Sequence, residues 1–241
     1  MYKAYLDNNI IVDIEDGKYS VEQFLNKDDY AYYFSQAHIE ELLEAKDTPK
    51  VFQSGRINLI SKLCGKNHIL TGVDSVPEFF DKKPSEMYRL LDTPLRQLII
   101  QAVNQFEGIA LKVRQELDFD TLHFNNESPE NVLRIIDNRM KEKSGIDLYS
   151  YLMRTEAFMG KPIYHTLIQL IDMANYWGDK KTNRSDVARM YDASHAYFAQ
   201  ICDVLVTNDK KMCMKVKAIY YFLNVKTKVL TANDFFHSKA S

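Results

Sequence analysis

Four acids in this chain are candidates for shared chemistry, and two of them, Asp7 and Asp209, stand at strand ends, where a carboxylate is a poor choice for stability alone. Asp7 closes the segment KAYLD, Glu41 falls early in HIEELLEAK, Asp192 lies in MYDASHAYF and Asp209 follows the apolar run VLVT. Desolvating an unpaired carboxylate at the end of a buried strand is costly, so the placement makes sense where something positively charged binds. Four acids brought together repel unless cations sit among them. Oxygen donors without Cys or His suit Mg²⁺ or Mn²⁺. One or two such ions polarise a phosphate, activate a bound water as nucleophile and neutralise charge on the leaving oxygen.

These acids need elements to carry them. KAYLD (3–7) reads as a short strand that turns at Asn8-Asn9. YAYYFSQ (30–36) reads as a second, aromatic strand. It runs into a helix, HIEELLEAK (38–46), where Ile39, Leu42 and Leu43 keep helical spacing and Ser35 can cap. From Ser185 a helix, SDVARMYDASHAYFAQ, leads to the strand VLVT (204–207), a helix over 208–224 and a last strand, VKTKVLT (225–231). Such alternation predicts α/β architecture, a small parallel sheet of about four strands sandwiched by helices. Ligands of such sheets bind outside the carboxyl ends of the strands. Asp7 and Asp209 stand at strand ends, Glu41 in the first turns of the helix after the second strand, and Asp192 on the helix leading to VLVT. All four can then share one edge.

Residues 48–184 have a different texture. DTPLRQLIIQAVNQFEGIALKVRQEL (92–117) is a long amphipathic pattern. SPENVLRIIDNRMKEKSG (128–145) opens on a Ser cap with Pro after it and closes on Gly. DLYSYLMRTEAF and PIYHTLIQLIDMANYW also read as helices, and no convincing strand is expected here. The expected division is an α/β domain from 1–47 and 185–241, with 48–184 as an all-helical insertion packed on it. The insertion can serve as a lid, an oligomerisation surface or a partner-binding surface.

Composition sets outer bounds. A hydrophobic fraction of 46% and a charged fraction of 27% are those of a globular protein. No apolar run approaches the ~20 residues that span a bilayer, and MYKAYLDNN lacks a signal-peptide layout. Cys64, Cys202 and Cys213 show no zinc-like spacing and read as buried thiols of a reducing compartment. A cytoplasmic chain without membrane attachment is the expectation. The net charge of −2 speaks against a surface coated in phosphate-binding charge, while leaving room for a local basic groove.

Asp7-Asn8-Asn9 resembles the Asp-Thr/Ser-Asn opening of PIN domains. FSQAHIEELL resembles their Ser…Glu-Leu helix, and DASHAYFAQICDVLVTNDKKM their Asp…Ala…Thr-x-Asp segment. The likeness continues through KAIYYFLNVKTKVLT. It is nearest to larger prokaryotic PIN-like proteins with Asp-x-x-His in this segment, and covers residues 1–47 and 185–236. Two departures stand out: Asn8 replaces a hydroxyl residue, and Glu40 competes with Glu41, although register against Ser35 and Leu42 favours Glu41.

The resemblance implies a metal-dependent endoribonuclease that hydrolyses RNA phosphodiester bonds, with a toxin or antiphage role. Asp7, Glu41, Asp192 and Asp209 would be its catalytic acids and the ligands of Mg²⁺ or Mn²⁺. Asn9 and Thr207 would hold those acids in place. His195, three residues after Asp192 on the same helix face, would orient Asp192 or act as ligand or proton shuttle. Expected partners are single-stranded or structured RNA, an antitoxin-like protein and further copies of the chain. The alternative is a catalytically inactive PIN-like module that binds RNA or protein.

Plainer readings accompany these. Asp209 can cap the helix that follows it. Lys210, Lys211, Lys215 and Lys217 can contact phosphates or line a solvated helix face. A phosphatase-like site with an Asp nucleophile needs a second Asp two residues on, where Asn9 stands.

Overall fold

In the computed structural model, six strands among the described residues make one sheet. They are β1 (Tyr2–Leu6), β2 (Tyr30–Ser35), β3 (Asn67–Thr71), β4 (Pro77–Asp81), β5 (Val204–Val206) and β6 (Lys228–Leu230). The structure describes residues 1–44, 50–72, 74–92, 115–119, 124, 127–154, 160–178 and 185–238. Strand order is β4-β3-β2-β1-β5-β6. Neighbours from β3 to β6 are parallel, and β4 alone is antiparallel, to β3. The chain is α/β, as expected, but the sheet is mixed and has six strands rather than about four parallel ones.

The two additional strands lie in the stretch where no strand was expected. NHILT and PEFFD are short, one carries a His and a Thr, and the other begins on Pro and stays largely exposed. Neither shows a clean alternation. Their strand character comes from pairing along β2, a tertiary effect that local propensity does not record.

Contacts divide the chain into two units: Met1–Arg96 with Phe198–Lys210 and Lys226–Ser241, and Gln97–Tyr197 with Lys211–Val225. This differs from the expected division at 48 and 184. The β3–β4 hairpin belongs with the sheet, and most of the two helices flanking β5 groups with the middle of the chain.

In the first unit, α1 (Asn8–Glu15), α2 (Val21–Leu25), α3 (Gln36–Glu44), α4 (Lys50–Cys64) and α5 (Pro84–Leu91) accompany the strands. Where Asn8-Asn9 reads as a turn in the sequence, a helix begins instead, because Asp7 is extended and caps α1. Ser20 and Gln23 close a reciprocal capping box on α2. Leu6, Ile10, Ile14, Phe24, Phe34 and Ile60 lie in one apolar core, and Tyr32 within it satisfies its hydroxyl on the Phe24 carbonyl at 2.7 Å.

The second unit holds α6 (Pro129–Ser144), α7 (Leu148–Arg154) and α8 (Lys161–Met173), with most of α9 (Ser185–Ala199) and α10 (Lys210–Phe222). Ser128, Pro129 and a left-handed Gly145 bound α6 as its sequence signals predict. The helix expected over 92–117 lies, from 93 to 114, outside the described residues. Tyr164, Tyr197 and Tyr220 meet edge to face. Lys215, fully buried, pairs with Asp172 at 2.6 Å, and Arg189 approaches the same carboxylate at 3.5 Å. In the first unit, α11 (Ala232–His237) closes the described chain. Among the described residues no helix is long and apolar enough to cross a membrane.

His68 on β3 is fully buried against Phe34, and neither ring nitrogen has a hydrogen-bond partner among the described residues. Burial, aided by the charge of Lys82, lowers its pKa from 6.5 to about 4. Between those values the unfolded chain binds a proton that the folded chain refuses, so stability rises with pH across the window. This contribution is complete above 6.5 and is lost as pH falls towards 4. Thermal unfolding of His68→Phe is expected to show a shallower loss of stability over that window than the parent chain.

Candidate functional site

The carboxyl ends of β1 and β5 lie side by side, because Tyr5 and Leu6 pair with Leu205 and Val206. The ladder runs one step further: Asp7 N–H donates to the Val206 carbonyl at 2.9 Å, and Thr207 N–H to the Leu230 carbonyl at 2.9 Å. Asp7 and Thr207 therefore leave adjacent strands at the same level, at the edge where parallel sheets present their ligands.

Asp7 is buried yet surrounded by donors. Its Oδ1 accepts the Asn8 N–H at 2.8 Å. Its Oδ2 accepts the Thr207 hydroxyl at 2.9 Å and the Asn9 side-chain amide. Placed at the N-terminus of α1, the carboxylate also faces the positive end of the helix dipole. Thr207 is itself fully used. Its Oγ1 accepts from Asn9 Nδ2 at 2.9 Å and from the Asp209 N–H at 3.2 Å while donating to Asp7. Asn9 and Thr207 thus both contact the Asp7 carboxylate.

Asn208, to which the sequence reading gave no role, is the joint of this edge. Its N–H donates to Asn9 Oδ1 at 3.0 Å, and its amide donates to Asp13 at 2.8 Å and to the Tyr19 hydroxyl at 3.1 Å. Its Oδ1 accepts the Ala232 N–H at 3.1 Å. Burial works against ionisation of Asp13, but Lys18 and Asn208 outweigh it and hold the carboxyl below its usual range. On α1, Asn8 is buried and its Oδ1 has no hydrogen-bond partner among the described residues.

Behind Asp7 runs a second network that the sequence reading also missed. The Tyr5 hydroxyl meets Ser35 Oγ at 2.6 Å, and Ser35 Oγ accepts the Ala37 N–H at 3.2 Å, giving Ser35 its expected place at the start of α3. His38 Nδ1 accepts the Ser35 N–H at 3.1 Å, so Nε2 carries the proton and donates to the Leu6 carbonyl at 2.7 Å. This neutral imidazole joins the ends of β1 and β2 one residue before Asp7. Burial first, then the nearby Asp7 and Glu41 carboxylates, push the Tyr5 phenol well up, against the opposing effect of the Ser35 bond.

Glu41 is half-buried on α3, and its charge reaches Tyr5 beside Asp7. Glu40 accepts from Gln36 on its own helix at 2.6 Å. Asp209 is exposed at the start of α10, tied to Thr207 through its backbone. The first unit therefore carries Asp7, Glu41 and Asp209 together with Asn9 and Thr207. Asp192 and His195 belong to the second unit, one turn apart on α9, Asp192 half-buried and His195 buried.

Two of the basic residues considered for phosphate contact are otherwise engaged. Lys215 is the buried partner of Asp172, and Lys211 donates to the Gly178 carbonyl at 3.1 Å. The three cysteines are free and buried, as expected.

The donors near Asp7 are carboxylate and amide oxygens, the chemistry that Mg²⁺ and Mn²⁺ prefer. Among the described residues, no group of three or more His, Cys, Asp or Glu side chains is assembled to hold a metal ion. No family model matches the chain, and no curated protein or solved structure matches it either.

Proposed function

We propose that the chain is a Mg²⁺- or Mn²⁺-dependent endoribonuclease of PIN-like type, hydrolysing RNA phosphodiester bonds at the carboxyl ends of β1 and β5. The observation that carries this reading is Asp7: a buried carboxylate held by Asn8, Asn9 and Thr207 at a strand-end edge. The same acid caps α1, and metal binding comes in addition to that structural role. When bound, the divalent ion supplies charge neutralisation and an activated water.

The chain's own residues set the rest. Asn9 and Thr207 fix the plane of the Asp7 carboxylate, which keeps its oxygens aimed without reorganisation during the reaction. His38, whose Nδ1 accepts the Ser35 N–H, and Tyr5, whose phenol is pushed well up by burial, add no charge of their own beside Asp7. Glu41 and Asp209 add acid character in the same unit, and Asp192 is carried by the sequence resemblance alone. A cytoplasmic setting, an antitoxin-like partner and a toxin or antiphage role accompany the reading through that resemblance.

Labelled single-stranded RNA incubated with the purified chain tests it. Cleavage is expected with Mn²⁺, none with excess chelator, and a loss of roughly a hundredfold or more in Asp209→Asn. Equal cleavage by both proteins points to a contaminant. Absence of cleavage with RNA still bound returns the chain to the alternative, an inactive binding module.

A further inference from the structure

β4 is an edge strand with an open side of unusual composition. Val76, Phe79 and Phe80 are 51%, 40% and 41% exposed, and among the described residues no strand lies beyond β4. Natural edges of this kind are covered, blunted or paired.

The backbone parity says which groups the open side offers. Gly72 N–H donates to the Val76 carbonyl at 2.7 Å and Lys82 N–H to the Lys66 carbonyl at 2.9 Å. Even-numbered β4 residues, Glu78 and Phe80, therefore turn their amides towards β3, and Pro77, Phe79 and Asp81 turn theirs away. Pro77 has no N–H, which ends the open ladder on one side. Two donors remain, Phe79 and Asp81, with their carbonyls.

We infer that β4 pairs antiparallel with β4 of a second copy of this chain, with Phe80 on the dyad. In that register Phe79 of each copy lies opposite Asp81 of the other, and each such pair exchanges both backbone bonds. Every open donor and carbonyl between 79 and 81 is then used. Phe80 meets Phe80 in the closer, non-hydrogen-bonded position, where aromatic pairs gain most. Glu78 of each copy faces Lys82 of the other, so two opposite-charge pairs flank the aromatic centre. Centring on Phe79 instead sets Asp81 opposite Pro77, which has no N–H to return, and separates Glu78 from Lys82. Charge thus selects the first register, and two six-stranded sheets become one that is continuous across the dyad.

Sedimentation equilibrium of the full chain across a micromolar concentration series tests this. The expected result is a concentration-dependent dimer. Glu78→Lys and Lys82→Glu each turn two attractive pairs into repulsive ones and weaken dimerisation roughly tenfold. The double variant Glu78→Lys/Lys82→Glu restores the parent affinity. Phe79→Pro removes an open-side N–H but no bond to β3, so it abolishes the dimer while far-ultraviolet circular dichroism stays that of the parent. A monomer at every concentration overturns the inference, as does a dimer that both single charge variants leave unchanged.

Discussion

Asp7→Asn is expected to lower divalent-ion-dependent RNA cleavage by roughly a hundred- to a thousandfold, the scale on which removing one preorganised electrostatic group acts. The change is nearly isosteric, so the argument turns on hydrogen-bond polarity. Three partners of the Asp7 carboxylate are donors: the Asn8 N–H, the Asn9 amide and the Thr207 hydroxyl. An asparagine offers one acceptor oxygen and one NH₂ group, so whichever way it turns, a donor faces a donor. Rotating Thr207 to accept from the new NH₂ only moves the conflict, because its oxygen already accepts from Asn9 and Asp209. The buried mismatch should cost about 1–3 kcal/mol of stability. Urea unfolding beside single-turnover cleavage separates the two effects. Cleavage that survives in a folded Asp7→Asn protein excludes Asp7 from the chemistry.

Lys215→Ala is expected to destabilise the chain by about 3–5 kcal/mol, the range found when one partner of a buried ion pair is removed. Lys215 is wholly enclosed and lies 2.6 Å from Asp172, itself nearly buried. Truncation leaves a carboxylate with Arg189 at 3.5 Å among the described residues. The double replacement Lys215→Met/Asp172→Leu removes both charges and should recover most of the loss. Denaturant titration of the parent and both variants measures the comparison directly. A Lys215→Ala protein as stable as the parent would show that the pair is not formed in solution.

The strand ends were legible because they are local. KAYLD is a short run closed by an acid, and VLVT ends on the Thr of a Thr-Asn-Asp sequence. Asn9 and Thr207 could be named beside Asp7 through the resemblance. Asn208 and His38 could not, since their partners include Asp13 from 195 residues away and Leu6 from 32. Pairing over such distances leaves no trace in composition. The helix α1 was hidden because Asn8-Asn9 reads as a turn when Asp7 is taken as a strand end rather than as a cap. The β3–β4 hairpin was hidden because its strands depend on a neighbour for their order.

Lys215 is a different case, for a signal was present. Met212, Cys213, Val216, Ile219 and Tyr220 form the apolar stripe of α10. Lys215 stands three residues after Met212 and four before Ile219, inside that stripe. A lysine there calls for a buried carboxylate in reach, which Asp172 provides.

The clamp on Asp7 joins residues 200 positions apart, and this separation has a consequence in time. At roughly 5–20 residues per second, a ribosome needs about 10–40 s to pass from one to the other. Throughout that interval the β5-facing edge of β1 is unpaired and Thr207 does not yet exist. Whatever reaction Asp7 supports is withheld from the growing chain until Thr207 has been made.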